Sequence, residues 1–367
     1  MKILFTESSS NIGGQELQAL AQIQSLLRNG HEVVVACRKG SGIADRAIIE
    51  NMSVVFIPFR NSIHLPSLLS MRRLMTHFRP DVVVCHSGHD SNTVGIARLL
   101  IFRRSARPVV LRQKAYLTER VGTFPLNYLC DAVMVPGCAA KETLVSAGCR
   151  NTITVIPPGF DFARIHREAE QFLPAHITRW LKHSGDAPVI VQVGMLRPEK
   201  GHDFFLDVLF HLRQKGIAFR WLIVGTGKHR EVQVLHDRIA QYQMQDRVLM
   251  TGAVFPVAPV WRVANLVVLP SRKESFGMVL AEASSCSVPV MASRIGGIPD
   301  VICDEYNGLL LPPDDRAAWM AALTRFHRDP EAFRTMATRA KDEIEVAFSI
   351  EGTTERILAL AQKYVRR

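Results

Sequence analysis

No Cys-x-x-Cys pair occurs in this 367-residue chain. Its seven cysteines (37, 85, 130, 138, 149, 286 and 303) are odd in number and scattered, which argues against a disulfide framework and a zinc ribbon. Cys85, His86 and His89 are the one cluster with metal-ligand character, and three such residues without a fourth fit a strand end better than a metal site. Long apolar runs are missing as well. The longest, such as VGIARLLIF at 94–102, are broken by charge and fall well short of the roughly 20 residues of a membrane span. The opening MKILFT runs straight into a polar loop without the apolar stretch and cleavage site of a signal peptide, so a cytoplasmic chain is expected. Low-complexity tracts, solenoid-length repeats and the Gly-x-Gly-x-x-Gly dinucleotide fingerprint are all lacking.

What is present is an ordinary globular composition, 47% hydrophobic and 22% charged, with a net charge of +11 that suggests an anionic partner. The excess is uneven. Residues 1–158 hold 18 Lys and Arg against 10 Asp and Glu, while 159–367 hold 27 against 24. A basic module for nucleic acid would account for the charge, yet no aromatic-interleaved basic strand or recognition-helix signature accompanies it, and no nucleic-acid partner is expected.

Short β-branched runs recur at 2–6, 32–37, 53–59, 82–87, 108–113, 132–137 and 152–157, pause over 158–187, and restart at 189–194, 219–225, 247–252, 265–270, 289–293 and 307–313. Between them lie stretches of helical spacing such as 15–30, whose Leu17, Leu20, Ala21, Ile23 and Leu27 make one apolar face. Strands apolar on both sides alternating with helices imply parallel sheets, hence an α/β chain of two doubly wound domains facing a cleft, with ligands at the carboxyl ends of the strands. Beyond residue 314 only helical spacing remains, and the last helix is expected to pack back toward the first domain. The expected boundaries are 1–165, 166–348 and a crossing helix at 349–367.

Several strand-end loops carry chemistry. SSSNIGGQE (8–16) places Gly13 and Gly14 where a backbone can approach a ligand ahead of a helix. MLRPEKG (195–201) sets Arg197 and Lys200 three apart, a pair able to hold a diphosphate. In KESFGMVLAE (273–282), a helix opening at Phe276 or Gly277 leaves Glu274 in the loop before it and Glu282 inside it, up to about 12 Å apart along the axis. A ligand touching both has hydroxyls at each end and an anion between, which is the shape of a nucleotide sugar.

The stretch SRKESFGMVLAEASSCSVPVMASRIGGIPDVI, followed by NGLLLPPDD, resembles the signature region of glycosyltransferase family 4, retaining enzymes of the GT-B fold with two Rossmann-like domains. The Glu-x7-Glu motif of that family is matched by Glu274 and Glu282. The resemblance implies a reaction that moves a sugar from a UDP- or GDP-sugar to a hydroxyl of a glycan or glycolipid. It implies that Glu282 binds the ribose diol, and that Glu274, with amides near Phe276, Gly277 and Met278, holds the donor sugar. Arg197 and Lys200 would grip the diphosphate, Gly13 and Gly14 would let the first domain reach it, and His86 would lie near donor or acceptor. Two departures stand out: Met195 occupies the place where many relatives have Arg, and Arg112-Gln113-Lys114 replaces a histidine after the fifth strand.

No Asp-x-Asp lies near a donor loop, so neither a metal requirement nor another cofactor is expected. A GT-B nucleotide-sugar epimerase is the rival reading. The acceptor is expected to be an anionic glycan at a membrane surface, such as lipopolysaccharide, with the protein peripheral on the inner face of the cytoplasmic membrane. Arg60, Arg72, Arg73 and Arg79 share 60–80 with Leu65, Leu68, Leu69, Met75 and Phe78 at helical spacing, and 98–107 adds four more arginines. A basic amphipathic helix can rest on an anionic surface, or its apolar residues can face the sheet.

Overall fold

The computed structural model describes residues 1–103, 107–116, 121–182 and 185–365; Arg104 of the second basic run and residues 366 and 367 of the expected crossing helix lie outside the described residues. The chain divides into two units, Met1–Phe160 with Phe348–Arg367, and Asp161–Ala347.

The first unit is built on parallel strands β1 (Lys2–Glu7), β2 (Glu32–Cys37), β3 (Ser53–Phe56), β4 (Val82–Cys85), β5 (Val109–Gln113), β6 (Ala132–Val135) and β7 (Ile153–Val155). Their spatial order is β3-β2-β1-β4-β5-β6-β7. Helices α1 (Gly14–Arg28), α2 (Gly42–Ile49), α3 (Leu65–Phe78), α4 (Gly88–Leu99), α5 (Phe124–Tyr128) and α6 (Cys138–Ser146) connect them. Alternate residues serve opposite cores: Ile3, Phe5, Val82, Val84 and Leu111 belong to one, and Leu4, Val83, Val110 and Val133 to the other, with Leu68, Met71, Met75 and Val94.

The second unit starts in the stretch where the strand pattern paused, which forms α7 (Phe162–Ala169) and α8 (Ala175–Lys182). There follow β8 (Val189–Val193), α9 (His202–Gln214), β9 (Arg220–Val224), α10 (His229–Gln241), β10 (Val248–Met250), β11 (Leu266–Leu269), α11 (Met278–Ser285), β12 (Val290–Ser293), β13 (Leu309–Leu311), α12 (Arg316–Arg328) and α13 (Pro330–Ala347). The sheet order is β10-β9-β8-β11-β12-β13, all parallel. Phe205, Trp221 and Trp319 meet edge to face at 5.4 and 5.7 Å in its core. Both units are thus doubly wound and Rossmann-like, the fold class the strand alternation implied. The final helix, α14 (Ile350–Val365), belongs to the first unit, where Ile357, Leu360 and Ala361 join the core beneath α1.

One helix face differs from expectation, and a second divides between the two readings left open. In α1, Leu20 and Ile23 are buried, but Leu17 and Leu27 are exposed, and Gln18, Gln22 and Ser25 are buried instead. The cause is α14 and the segment that follows β7: Ser25 Oγ lies 3.1 Å from Thr354 Oγ1, and Gln18 Oε1 accepts from the Gly159 amide at 3.0 Å. Polar residues partnered in this way can line an interior at little cost. In α3, Leu68 and Met75 face the sheet and Phe78 is half-buried, whereas Leu65 and Leu69 stay exposed.

Candidate functional site

Each sheet reverses its winding beside its first strand, and ligands of such sheets collect outside the strand ends at the reversal. In the second unit this point lies between β8 and β11. The loops leaving those strands are joined there. Lys200 Nζ donates to Glu274 Oε2 at 2.6 Å, with side chains 22% and 13% exposed. The Arg272 amide donates to the Glu199 carbonyl at 2.8 Å, and Gln192 Nε2 to the Lys200 carbonyl at 2.9 Å. Glycine makes the approach feasible: at Gly201, where φ is +69°, a Cβ would stand 2.0 Å from the Pro270 carbonyl oxygen. Gly296 does the same on the other side of Glu274, whose carbonyl oxygen would lie 1.9 Å from its Cβ. The Gly296-Gly297 pair is thus a backbone seat for Glu274.

Arg272 fastens this frame with bonds of 2.9 Å to both Asp314 carboxylate oxygens, 3.0 Å to Asp203 and 2.9 Å to the Pro198 carbonyl. Sequence reasoning did not single out Arg272, Asp203 or Asp314. Their partners lie 42 and 69 positions away, which no local pattern signals.

After Glu274, Phe276 is buried and Gly277, at φ +89°, caps α11 without any side-chain hydrogen bond. The helix therefore opens at Met278; the Leu280 amide donates to the Gly277 carbonyl at 2.9 Å, and the Met278 and Val279 amides ahead of it form the positive end. Glu282 sits about one turn further on. Its carboxylate makes no hydrogen bond or ion pair among the described residues. Burial, and then the charge of Glu168 on α7, push its carboxyl up to about 7. Arg197 caps the 3₁₀ turn Pro198–Lys200 and is half-exposed, 3.7 Å from Glu199. The structure therefore joins Lys200 to Glu274 and leaves Arg197 on the solvent side of its turn.

In the first unit the reversal lies between β1 and β4. Gly13 is the N-cap of α1 and Gly14 its first residue; the Gly13 amide is taken by Glu16 Oε2 at 2.8 Å, so it is already partnered. His86 leaves β4 and is buried, its Nδ1–H donating to the Thr6 carbonyl at 3.1 Å, while Nε2 is enclosed without a partner among the described residues. Burial lowers its pKa despite the nearby charge of Glu7, which favours the neutral ring.

Two carboxylates that sequence reasoning missed surround it. Glu7 accepts from the Ser9 amide at 2.8 Å, Gln15 Nε2 at 2.7 Å and the Ser87 hydroxyl. Asp90 accepts from Thr6 Oγ1 at 2.6 Å, Ser8 Oγ at 3.3 Å and the His86 amide at 3.2 Å. Burial, with Glu7 second, pushes the Asp90 carboxyl up to about 8. A His and an Asp four residues apart at a strand-to-helix junction were the available signal.

A family model described as Glycosyltransferase Family 4 matches residues 12–164, and one described as Glycosyl transferases group 1 matches 187–329. A D-inositol 3-phosphate glycosyltransferase of Segniliparus rotundus is 31% identical over 214 residues, 56% of this chain and 46% of the relative. Its counterpart in Stackebrandtia nassauensis is 31% identical over 239 residues, 61% and 52%. The chain thus spans about half the length of the curated relatives it matches. Among solved structures, Anabaena HepE in complex with UDP and glucose superposes with a TM-score of 0.83 at 21% identity, covering 99% of this chain and 100% of that one. The apo lipopolysaccharide outer core galactosyltransferase WaaB gives 0.75 at 18%, covering 99% and 100%. At these identities the structural likeness speaks to the fold, which is that of GT-B glycosyltransferases.

Proposed function

We propose, for a chain that belongs to the glycosyltransferases of group 1 and family 4, that it transfers a sugar from a nucleotide diphosphate sugar to a hydroxyl of a glycan or glycolipid, with retention at the anomeric carbon. The observation that carries this reading is the Lys200–Glu274 pair at the β8/β11 reversal, beside the amino end of α11. In such a transfer negative charge builds on the departing diphosphate. A fixed ammonium and helix amides offset it without reorganising during the reaction. Lys200 takes that role. Glu274 accepts from hydroxyls of the donor sugar, and Glu282, whose carboxylate lacks a partner, accepts from the ribose diol. Half-exposed Arg197 closes on the diphosphate from the solvent side. The acceptor attacks the face the diphosphate leaves, the diphosphate takes the proton, and no protein nucleophile is used. Uracil is the favoured base because the similar HepE was solved with UDP, with UDP-glucose and with UDP and glucose.

Thermal stabilisation by UDP-, GDP- and ADP-sugars tests the donor site. A UDP-sugar is expected to raise Tm, and turnover with an acceptor to give a product of unchanged anomeric configuration at undiminished rate in EDTA. Absence of a shift with every nucleotide sugar would refute the reading, and rapid turnover of donor without acceptor would mark an epimerase.

For the acceptor we propose a cell-surface glycan such as lipopolysaccharide, met at an anionic membrane. On α3, Leu65, Leu69 and Arg72 follow one another at helical spacing; Leu65 is 62% exposed, and the Arg72 guanidinium lies over the ring of Phe102, 91% exposed. No helix among the described residues is long and apolar enough to cross a membrane. Flotation with vesicles containing anionic lipid, weaker at 0.5 M salt and weaker for Phe102→Glu, is the expected result; equal recovery with neutral vesicles would contradict it.

A further inference from the structure

The second unit carries a groove that the donor chemistry does not use. Helix α12 packs on α9, with Trp319, Leu323 and Phe326 joining Phe205 and Leu212 in the core. On the solvent side the two helices part around a depression of about 760 Å³, within the size range of binding clefts. Its floor is formed by half-buried Met320 and exposed Ala321. Its edges are cationic. Arg316 and Arg328 stand at the two ends of α12, about 18 Å apart along the axis, and Lys215 ends α9 on the facing wall. All three are exposed, and the side chain of none makes a hydrogen bond or ion pair among the described residues. Arg325 at the rim is already held by Glu305 at 2.7 Å, and Asp329, the one acid lining the groove among the described residues, accepts from the Ala332 amide at 3.1 Å. The helix macrodipole accounts for cations in the last turns of α9 and α12. It does not account for Arg316, the first residue of α12, where the helix field disfavours a cation. Residues 159–367 are otherwise near balance, 27 Lys and Arg against 24 Asp and Glu, so the concentration of charge is local.

We infer that this groove receives an acidic amphipathic helix of a partner protein. The apolar side of that helix lies on Met320 and Ala321, and its carboxylates meet Arg316 and Arg328 at the ends and Lys215 along the wall. Shape decides between occupants. A bilayer surface would touch only the rims of a concave groove and leave Met320 uncovered, and a small polyanion would pair the cations but leave the same floor to water. A helix of about 12 residues spans the two arginines and covers the floor as well. Both walls begin at residues that Arg272 fastens, since Asp203 lies in the first turn of α9 and Asp314 just ahead of α12. The occupant therefore braces two helices tied to the donor frame while leaving Lys200 and Glu274 uncovered, neither of which lines the groove. The site shares no residue with the donor reading and stands or falls separately from it.

The test uses the full chain and a fluorescein-labelled helical peptide of about 14 residues with Leu on one face and Glu on the other, against the same peptide with every Glu replaced by Gln. Fluorescence anisotropy is expected to show saturable binding of the Glu peptide that weakens as salt rises, and at least tenfold weaker binding of the Gln peptide. The double variant Arg316→Glu, Arg328→Glu is expected to lose at least tenfold in affinity. Ala321→Trp, which fills the floor at unchanged charge, is expected to do the same. Arg60→Glu, Arg73→Glu, which makes the same charge change at exposed positions of the first unit, is expected to bind as the wild type does. Every substituted position is exposed, so these proteins should melt with the wild type. No binding by the wild type, undiminished binding by Ala321→Trp, or equal loss in the first-unit control would overturn the site. Flotation on anionic vesicles that Arg316→Glu, Arg328→Glu abolishes would give the groove to lipid, and a dimer in sedimentation that the same pair dissolves would give it to a second copy; either result overturns the assignment to a partner helix.

Discussion

Lys200→Ala is expected to lower kcat by about 10²–10³-fold, the range seen when one preorganised donor to a developing negative charge is removed. The donor KM is expected to change far less, because the ammonium acts most strongly once the sugar–phosphate bond is breaking. The substitution has a second effect that must be separated. It strips Glu274 of its 2.6 Å partner in a mostly enclosed setting, at a cost of about 1–3 kcal/mol, between values for exposed and fully buried pairs. The double variant Lys200→Met, Glu274→Gln leaves neither charge behind. Its melting temperature should recover toward wild type while kcat stays low. Full recovery of kcat in the double variant would reduce Lys200 to a structural partner of Glu274.

Glu282→Gln is expected to act in opposite directions on stability and on donor binding. The carboxyl titrates near 4.5 when unfolded and is pushed up to about 7 in the folded chain by burial and by Glu168. Between those values the folded state holds a proton that the unfolded state has released. Stability therefore falls as pH rises from 4.5 to 7, by up to about 3 kcal/mol, and stays reduced above that window. The Gln variant lacks this penalty. It should melt with the wild type at pH 4.5 and above it at pH 8. Donor binding should weaken by roughly 30- to 1000-fold, since two charge-assisted bonds to a diol contribute about 2–4 kcal/mol. Wild-type affinity for a UDP-sugar should itself decline below about pH 7 as the carboxyl takes up its proton. Denaturant melts at the two pH values and donor titrations check both halves; wild-type affinity in the Gln variant would move the ribose elsewhere.

The inner strands of both sheets were legible because they are buried on both faces, so VVVC and LVVL announce themselves without their neighbours. The placement of Glu274 ahead of the helix and of Glu282 inside it was legible for a related reason: both residues fall inside one local pattern. The Lys200–Glu274 bond was not legible, since it joins loops 74 positions apart and depends on Gly201 and Gly296 letting backbone touch backbone. Nor was the polar face of α1. Periodicity assigns leucines inward, and only the arrival of α14 beside Ser25 explains why Leu17 and Leu27 stay outside. The cluster of Glu7, His86, Asp90 and Arg112 was half-visible, with His86 and Arg112 noted singly and the carboxylates between them overlooked.

That α14 completes the first unit has a consequence for synthesis. The second unit is continuous, Asp161–Ala347, and can fold as soon as it clears the ribosome. The first cannot. Its sheet emerges early, with Ile3, Phe5 and Leu111 on the face that Ile357, Leu360 and Ala361 later help to cover. At 5–20 residues per second, the intervening unit alone takes about 10–40 s to translate. For that interval the nascent chain presents an apolar sheet face to the cell, so demand for a chaperone should fall on its earliest residues. A stop codon at Phe348 would spare every residue of the second unit and still leave the first unit permanently in that unfinished state.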